Sequence, residues 1–265
     1  MSGTLAPEAG SRTPLTPAPP TPPAMPPSAQ RSWFHRNRLP LLAVLVTAFA
    51  ALTWAVMAGW PFGGLDHDGR SLADQYFRGS RDFLRHYVLL GQRGPTVKIA
   101  AVYFVALALV RRTPDALIYF VIAELGNNLL VGAVKLATGR WGPLVTRNVH
   151  DILAGGDIFP SGHVANAVVL FGVLALTARR FRRTLIVLTI WIAGSVGLAT
   201  VLLSTHWVTD VLGGWLAGAI VLTCLPRHDG LTRRLLALPG RVWRRLRSLT
   251  RAGTRAWSRA WTRAA

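Results

Sequence analysis

Long apolar stretches constrain this chain more than any other feature. A helix needs about 20 mostly apolar residues to cross the hydrocarbon core of a bilayer. Residues 41–60 meet that need and end on Trp60, a side chain suited to the interface. Residues 96–110, 116–136, 164–178, 184–203 and 207–225 follow; the second is short and carries Lys98, whose stem can carry its charge outward to water. Inside a bilayer every backbone polar group must be satisfied within the protein, so the runs predict helices. The expected fold class is all-α: an integral membrane bundle of six transmembrane helices, with amphipathic helices at the interface.

Charge selects the orientation. Only 15% of the residues are charged, against about a quarter in a soluble domain, and 30 are basic against 11 acidic. Basic clusters stand at 31–38, 111–112, 179–183 and from 227 onward. Six spans put all four on one face, which the positive-inside rule makes cytoplasmic. The expectation is a multi-pass protein of the cell membrane with both termini in the cytoplasm. Residues 61–95, 137–160 and 204–206 then lie outside. A basic excess can also signal nucleic acid, but here it follows an apolar span. Between 227 and 263 stand 11 Arg against the single Asp229, which suits anionic lipid heads and predicts no nucleic-acid partner.

Three regions are expected. Residues 1–30 hold nine of the 17 prolines and read as a disordered leader without the basic-then-apolar order of a secretory signal. Residues 31–225 form the membrane domain, and 226–265 a basic amphipathic tail with Val242, Leu246, Leu249, Trp257 and Trp261 on one face. Residues 71–90 read as a second interfacial helix, with Leu72, Tyr76, Phe83, Leu84, Tyr87 and Val88 sharing a face. Ser71 and Asp74 have capping-box spacing at its start. The lone Cys224 allows no internal disulfide. Oligomeric state leaves no mark in the sequence.

Polar chemistry collects at one edge of the bundle. Lys135, Gly139 and Arg140 end the third span, Ser161, Gly162 and His163 open the fourth, and His206 and Asp210 join the fifth to the sixth. His206 and Asp210, four apart, share a helical face. A carboxylate on one ring nitrogen fixes the tautomer and leaves the other lone pair free to attack. A hydrogen-bonded pair that merely staples the helix end would use the same spacing. Ser161 and Gly162 place free N–H groups and a positive dipole end where an anion such as phosphate is favoured, although Pro-Ser-Gly also suits a plain helix start. His163 faces the same place and can donate a proton to a leaving oxygen. Lys135 and Arg140 add positive charge. Glu124, Asn127 and Asn128 lie within the third span and read as hydrogen-bonded between helices. His35, His67, His86 and His228 receive no role.

The segments Lys135-LAT-GRWGP, FPSG-His163 and His206-WVT-Asp210 resemble the three signature motifs of the type 2 phosphatidic acid phosphatase family, whose superfamily includes the vanadium haloperoxidases. The resemblance spans about residues 41–225. It implies a six-helix membrane phosphatase that needs no metal or other cofactor, with a lipid phosphate as substrate. His206 would be the nucleophile that forms a phosphohistidine, Asp210 its orienter and His163 the general acid. Lys135, Arg140, Ser161 and Gly162 would bind phosphate. Two departures stand out. Gly142-Pro143 replaces Arg-Pro in the first motif, and Ala199-Thr200 replaces Ser-Arg in the third. Arg147 and His150 are the nearby side chains that would compensate. The expected activity is hydrolysis of a lipid phosphomonoester or diphosphate. The alternative is a non-catalytic membrane protein of the same scaffold that binds anionic lipid. A haloperoxidase is disfavoured, because those soluble relatives hold vanadate with the two arginines missing here.

Overall fold

A computed structural model describes residues 27–59, 63–76, 81–143, 156–178, 180–226 and 231–237. Side chains are described from Asn37 onward. The proline-rich segment to residue 26, Arg147, His150 and the amphipathic tail face from 242 lie outside these residues. The chain divides into two units, Met1–Arg38 and Leu39–Ala265. The described residues are helical and contain no strand. In order they form α1 (Pro27–Met57), α2 (Gly63–Tyr76), α3 (Arg81–Tyr87), a short 3-10 turn (Val88–Gly91), α4 (Arg93–Arg111), α5 (Asp115–Thr138), α6 (Gly162–Thr177), α7 (Arg182–Leu202), α8 (Val208–Cys224) and α9 (Leu231–Leu236). Helix α1 already begins within the stretch expected to be leader.

Each of the six apolar runs is a helix. Four are long and apolar enough to cross a membrane, namely Asn37–Met57, Arg93–Arg111, Asp115–Thr138 and Arg182–Leu202. Helices α6 and α8 are shorter, at 16 and 17 residues. The long helices turn large apolar side chains outward, among them Trp54, Val102, Leu109, Val110, Leu129, Ile190 and Trp191. Water would penalise that surface; lipid tails do not.

The two shorter helices are the more deeply packed. Small residues let them approach their neighbours closely. A Cβ on Gly214 would meet the Ser161 carbonyl at 2.8 Å, and one on Gly218 would meet Val168 at 2.7 Å, so α8 lies directly on α6. A Cβ on Gly197 would meet Val211 at 2.6 Å, which brings α7 as close to α8. One core cluster joins Phe104 of α4, Phe120 of α5, Val169 and Val173 of α6 and Val221 of α8. Another sets Phe49 of α1 against Val131, Phe159, Ala165 and Ile220. Beyond α8, Leu231 is buried against the first cluster, and Asp115 accepts a bond from the Thr232 N–H at 2.8 Å. The cytoplasmic-side prediction for the tail therefore starts from a docked helix, α9.

The expected interfacial helix at 71–90 is corrected. It is two helices and a turn, and α2 begins eight residues earlier, at Gly63. Ser71 is mid-helix, and its hydroxyl donates to the Asp68 carbonyl at 2.9 Å, so it caps nothing. The proposed common face also divides. Leu72 and Phe83 are exposed, whereas Leu84, Tyr87 and Val88 pack on Ala199, Leu202 and Leu203 of the α7 end. The 3.6-residue period was present, but α2 and α3 are separate helices, each with its own register.

Candidate active site

The site lies at the end of the bundle where α5 finishes and α6 and α8 begin. Helix α5 stops because Gly139 takes a left-handed conformation, φ 55°, and returns its N–H to the Lys135 carbonyl at 3.0 Å. Glycine adopts that conformation without a Cβ penalty. The stop leaves Lys135 in the last turn and throws Arg140 across the bundle end. Helix α6 starts on Ser161, whose hydroxyl oxygen accepts weakly from the Val164 N–H at 3.5 Å. The Ser161 N–H donates to the Asp210 carbonyl at 2.9 Å, tying the start of α6 to the start of α8. In the first helical turn, the N–H groups of Gly162 and His163 have no intrahelical acceptor. Lys135 crosses to this point: its Cε lies 3.9 Å from where a Gly162 Cβ would stand, and its Nζ donates to the Asp157 carbonyl.

His206 and Asp210 occupy the α7–α8 turn. The carbonyl of Thr200 holds that turn by accepting from the N–H groups of Thr205 at 3.0 Å and His206 at 3.3 Å. Asp210 is fully buried and caps α8 from inside, accepting from the Trp207 N–H at 2.8 Å. The same oxygen faces His206 Nδ1 at 3.4 Å. If Nδ1 carries the proton, Nε2 presents its lone pair away from Asp210. The rings of His163 and His206 stand 6.2 Å apart between centroids and nearly perpendicular, at 69°. Thus Lys135, Ser161, Gly162, His163, His206 and Asp210, drawn from three separate stretches, do converge.

Arg140 converges too, but not on the gap between the histidines. One terminal nitrogen donates to Asp210 at 2.5 Å and to Thr209 Oγ1 at 2.6 Å. The other donates to Asp66 at 2.7 Å. Both ends of its fork are therefore held by carboxylates, and its expected place as a phosphate ligand gives way to a place behind Asp210. Asp66, from the first turn of α2, completes this buried set by accepting from the N–H and hydroxyl of Thr209 at 3.0 and 2.8 Å. Sequence reading passed over Asp66. Its neighbours look like an exposed helix start, and the signal it gave was only that a carboxylate is rare in this chain. His67, also given no role, sets its ring 5.7 Å from Trp207.

The two departures from the family motifs fall at packed positions. Gly142 is buried, and a Cβ there would press on Ile158 at 3.2 Å, close to the Thr205 carbonyl at 3.6 Å. Thr200 is buried with its hydroxyl donating to Gly197 at 2.7 Å. Neither position supplies a cation. A further arginine, Arg93, opens α4, two residues after Gly91, where an added Cβ would lie 2.6 Å from the His163 carbonyl. Glu124 and Asn127, expected to be hydrogen-bonded between helices, are buried with none of their side-chain polar atoms hydrogen-bonded. Among the described residues no group of three or more His, Cys, Asp and Glu side chains could hold a metal ion.

Residues 116–230 match the family model described as PAP2 superfamily, a stretch that contains Lys135, Ser161, His163, His206 and Asp210 but neither Asp66 nor Arg93. No curated protein sequence matches the chain. A solved structure shares the fold: the crystal structure of the first transmembrane PAP2 type phosphatidylglycerolphosphate phosphatase from Bacillus subtilis. It aligns with a TM-score of 0.52 at 21% identity, over 73% of this chain and 96% of that one. With its apolar helices the chain is a multi-pass membrane protein that shares the fold of that structure, and its match to the PAP2 superfamily model encloses the histidine pair.

Proposed function

We propose that the protein is a lipid-phosphate phosphatase that works through a phosphohistidine at the extracytoplasmic face. The observation that carries this reading is the His206–Asp210 pair standing 6.2 Å, ring to ring, from His163 beside Lys135 and an open helix start. Nε2 of His206 attacks phosphorus, and the bond from phosphorus to the lipid oxygen breaks. His163 gives that oxygen its proton and is left as the neutral base, and the lipid alcohol departs. Water, losing a proton to His163, then attacks the phosphohistidine; the N–P bond breaks, and inorganic phosphate leaves. Asp210 holds the ring and meets the positive charge that the first step creates on His206. The match to the PAP2 superfamily model supports the phosphatase chemistry, and the apolar helices support a lipid substrate that enters from the side while its head meets water.

The rival reading is a scaffold that binds anionic lipid without turning it over. Gly142 and Thr200 favour it, because removing one oriented donor from a developing charge costs about 10²–10³ in rate. Phosphate release by the purified protein decides between the two on a panel of phosphatidic acid, phosphatidylglycerol phosphate and polyprenyl diphosphate. The phosphatase reading expects release that His206→Ala abolishes. Wild type and His206→Ala both at background on every lipid would leave the binding scaffold as the better account.

A further inference from the structure

We propose that Arg93 is a phosphate-binding residue of this site, presenting one edge of its guanidinium to the phosphoryl oxygens beside His163 and Lys135. The assignment rests on the phosphatase reading for its ligand, but its geometry is independent of it. The start of α4 is fastened to the start of α6. A Cβ at Gly91 would lie 2.6 Å from the His163 carbonyl, so the two backbones touch there. The Asn166 side-chain amide then donates to the Gly91 carbonyl at 3.0 Å and to Thr96 Oγ1 at 3.1 Å. Arg93 lies in the chain between these two anchored residues of the α4 start, and the Asn166 that anchors them stands one turn of α6 after His163.

The guanidinium is left without a bonded anion. Its Nε and Nη2 are both buried and make no hydrogen bond. These two nitrogens share one edge of the planar fork, the edge whose parallel N–H groups grip two oxygens of a carboxylate or phosphate. Burying such an edge unpaired is unfavourable, and removing a partner from a buried pair is more so. Gly91, two residues before Arg93, lies against the His163 carbonyl, so the start of α4 that carries this open edge stands beside the α6 start and its histidine. Asp210 does not serve as its partner, because Arg140 and the Trp207 N–H already hold that carboxylate. Glu124 is the competing partner. It lies within electrostatic range of Arg93, yet both its oxygens are buried and unbonded. It also stands 11 residues before Lys135 on α5, about 16 Å along the axis, away from the histidines. A dianionic phosphate head reaches Lys135, the α6 start and the Arg93 edge together.

The test uses the full chain in lipid nanodiscs, with wild type, Arg93→Ala, Arg93→Lys, Glu124→Gln and His206→Ala. Two quantities are read: phosphate release from the lipid panel, and binding of inorganic phosphate by calorimetry. The thermal midpoint shows that each variant is folded. Arg93→Ala should lower kcat/KM by about 10²–10³ and weaken phosphate binding by about ten- to a hundred-fold. Arg93→Lys keeps the charge without the fork, and should recover only part of both losses. Glu124→Gln should leave phosphate binding near wild type. If folded Arg93→Lys and Arg93→Ala bind phosphate and turn over like wild type, the assignment is wrong even though the phosphatase reading survives. An equal loss of phosphate binding in Glu124→Gln would also overturn it, making Arg93 the counter-ion of Glu124. If the wild type releases no phosphate but its phosphate binding still falls in Arg93→Ala, the phosphatase reading fails and the Arg93 anion site stands.

Discussion

Replacing Asp66 with asparagine should unsettle the site from outside it. The side chain keeps its size and loses its charge. In the wild type one carboxylate oxygen accepts the Thr209 N–H, and the other accepts the Thr209 hydroxyl and the Arg140 fork at 2.7 Å, all at 4% exposure. Asparagine has a single oxygen, so either orientation of the amide turns an NH2 group toward a donor. The lost charge-assisted bond is worth about 1.5–3 kcal/mol, and the stranded buried donor about 1–3 kcal/mol more. A broken buried ion pair gives a similar total by a separate route, about 3–5 kcal/mol. Equilibrium unfolding in mixed micelles should therefore show a loss of about 3–5 kcal/mol for Asp66→Asn, with most of it absent when Arg140 is already methionine. An exposed pair would give about 1 kcal/mol or less. A loss that small, or one that adds fully to Arg140→Met, would refute the buried triad.

Further outcomes follow from the same geometry. His163→Ala should slow alcohol-leaving lipid phosphates far more than an aryl phosphate, since a phenolate departs without a proton; equal slowing on both would remove His163 as the acid. Cysteines placed in a Cys-free chain should be labelled from outside intact cells at Asn148 but not at Arg182, and the reverse pattern would invert the proposed topology. A peptide of residues 241–263 should bind anionic vesicles more tightly than neutral ones, by about 1 kcal/mol for each arginine near the surface, and less so as salt rises. Equal binding to both vesicles at any salt would mean that charge does not drive the contact.

The helices were legible because lipid imposes one rule on every residue of a span. The six runs read from the sequence lie within about four residues of the observed α-helices, apart from the earlier start of α1. The histidines were legible because their chemistry is carried by local spacing, four residues for His206 and Asp210, at ends that the span count brings together. Arg140, Asp66 and Arg93 were harder for one shared reason. Each acts across 40 residues or more, and nothing local distinguishes an arginine aimed at a carboxylate from one aimed at phosphate. Residues 61–95 hold five arginines, and no periodicity selects Arg93 among them. Only the docking of Gly91 on His163 does so.

The two half-buried arginines give a reason why the proposed phosphatase site tolerates a carboxylate beside the histidine it would use as nucleophile. An unscreened Asp210 next to the histidine gap would repel a dianion, and in a medium of low effective dielectric that repulsion would be strong. Arg140 lies against Asp210 at 2.5 Å, so the carboxylate is countered on the side away from His206. Asp66 in turn keeps that arginine from turning toward the substrate, because it binds the second terminal nitrogen. Positive charge facing the gap is then left to Lys135 and, on the assignment proposed here, Arg93. The arrangement separates two tasks that one arginine cannot perform at once: holding the orienting carboxylate, and holding the phosphoryl group. On this view Asp66→Asn and Arg93→Ala should differ in kind. The first loosens Asp210 and acts mainly on kcat, whereas the second removes a substrate contact and acts on phosphate affinity as well.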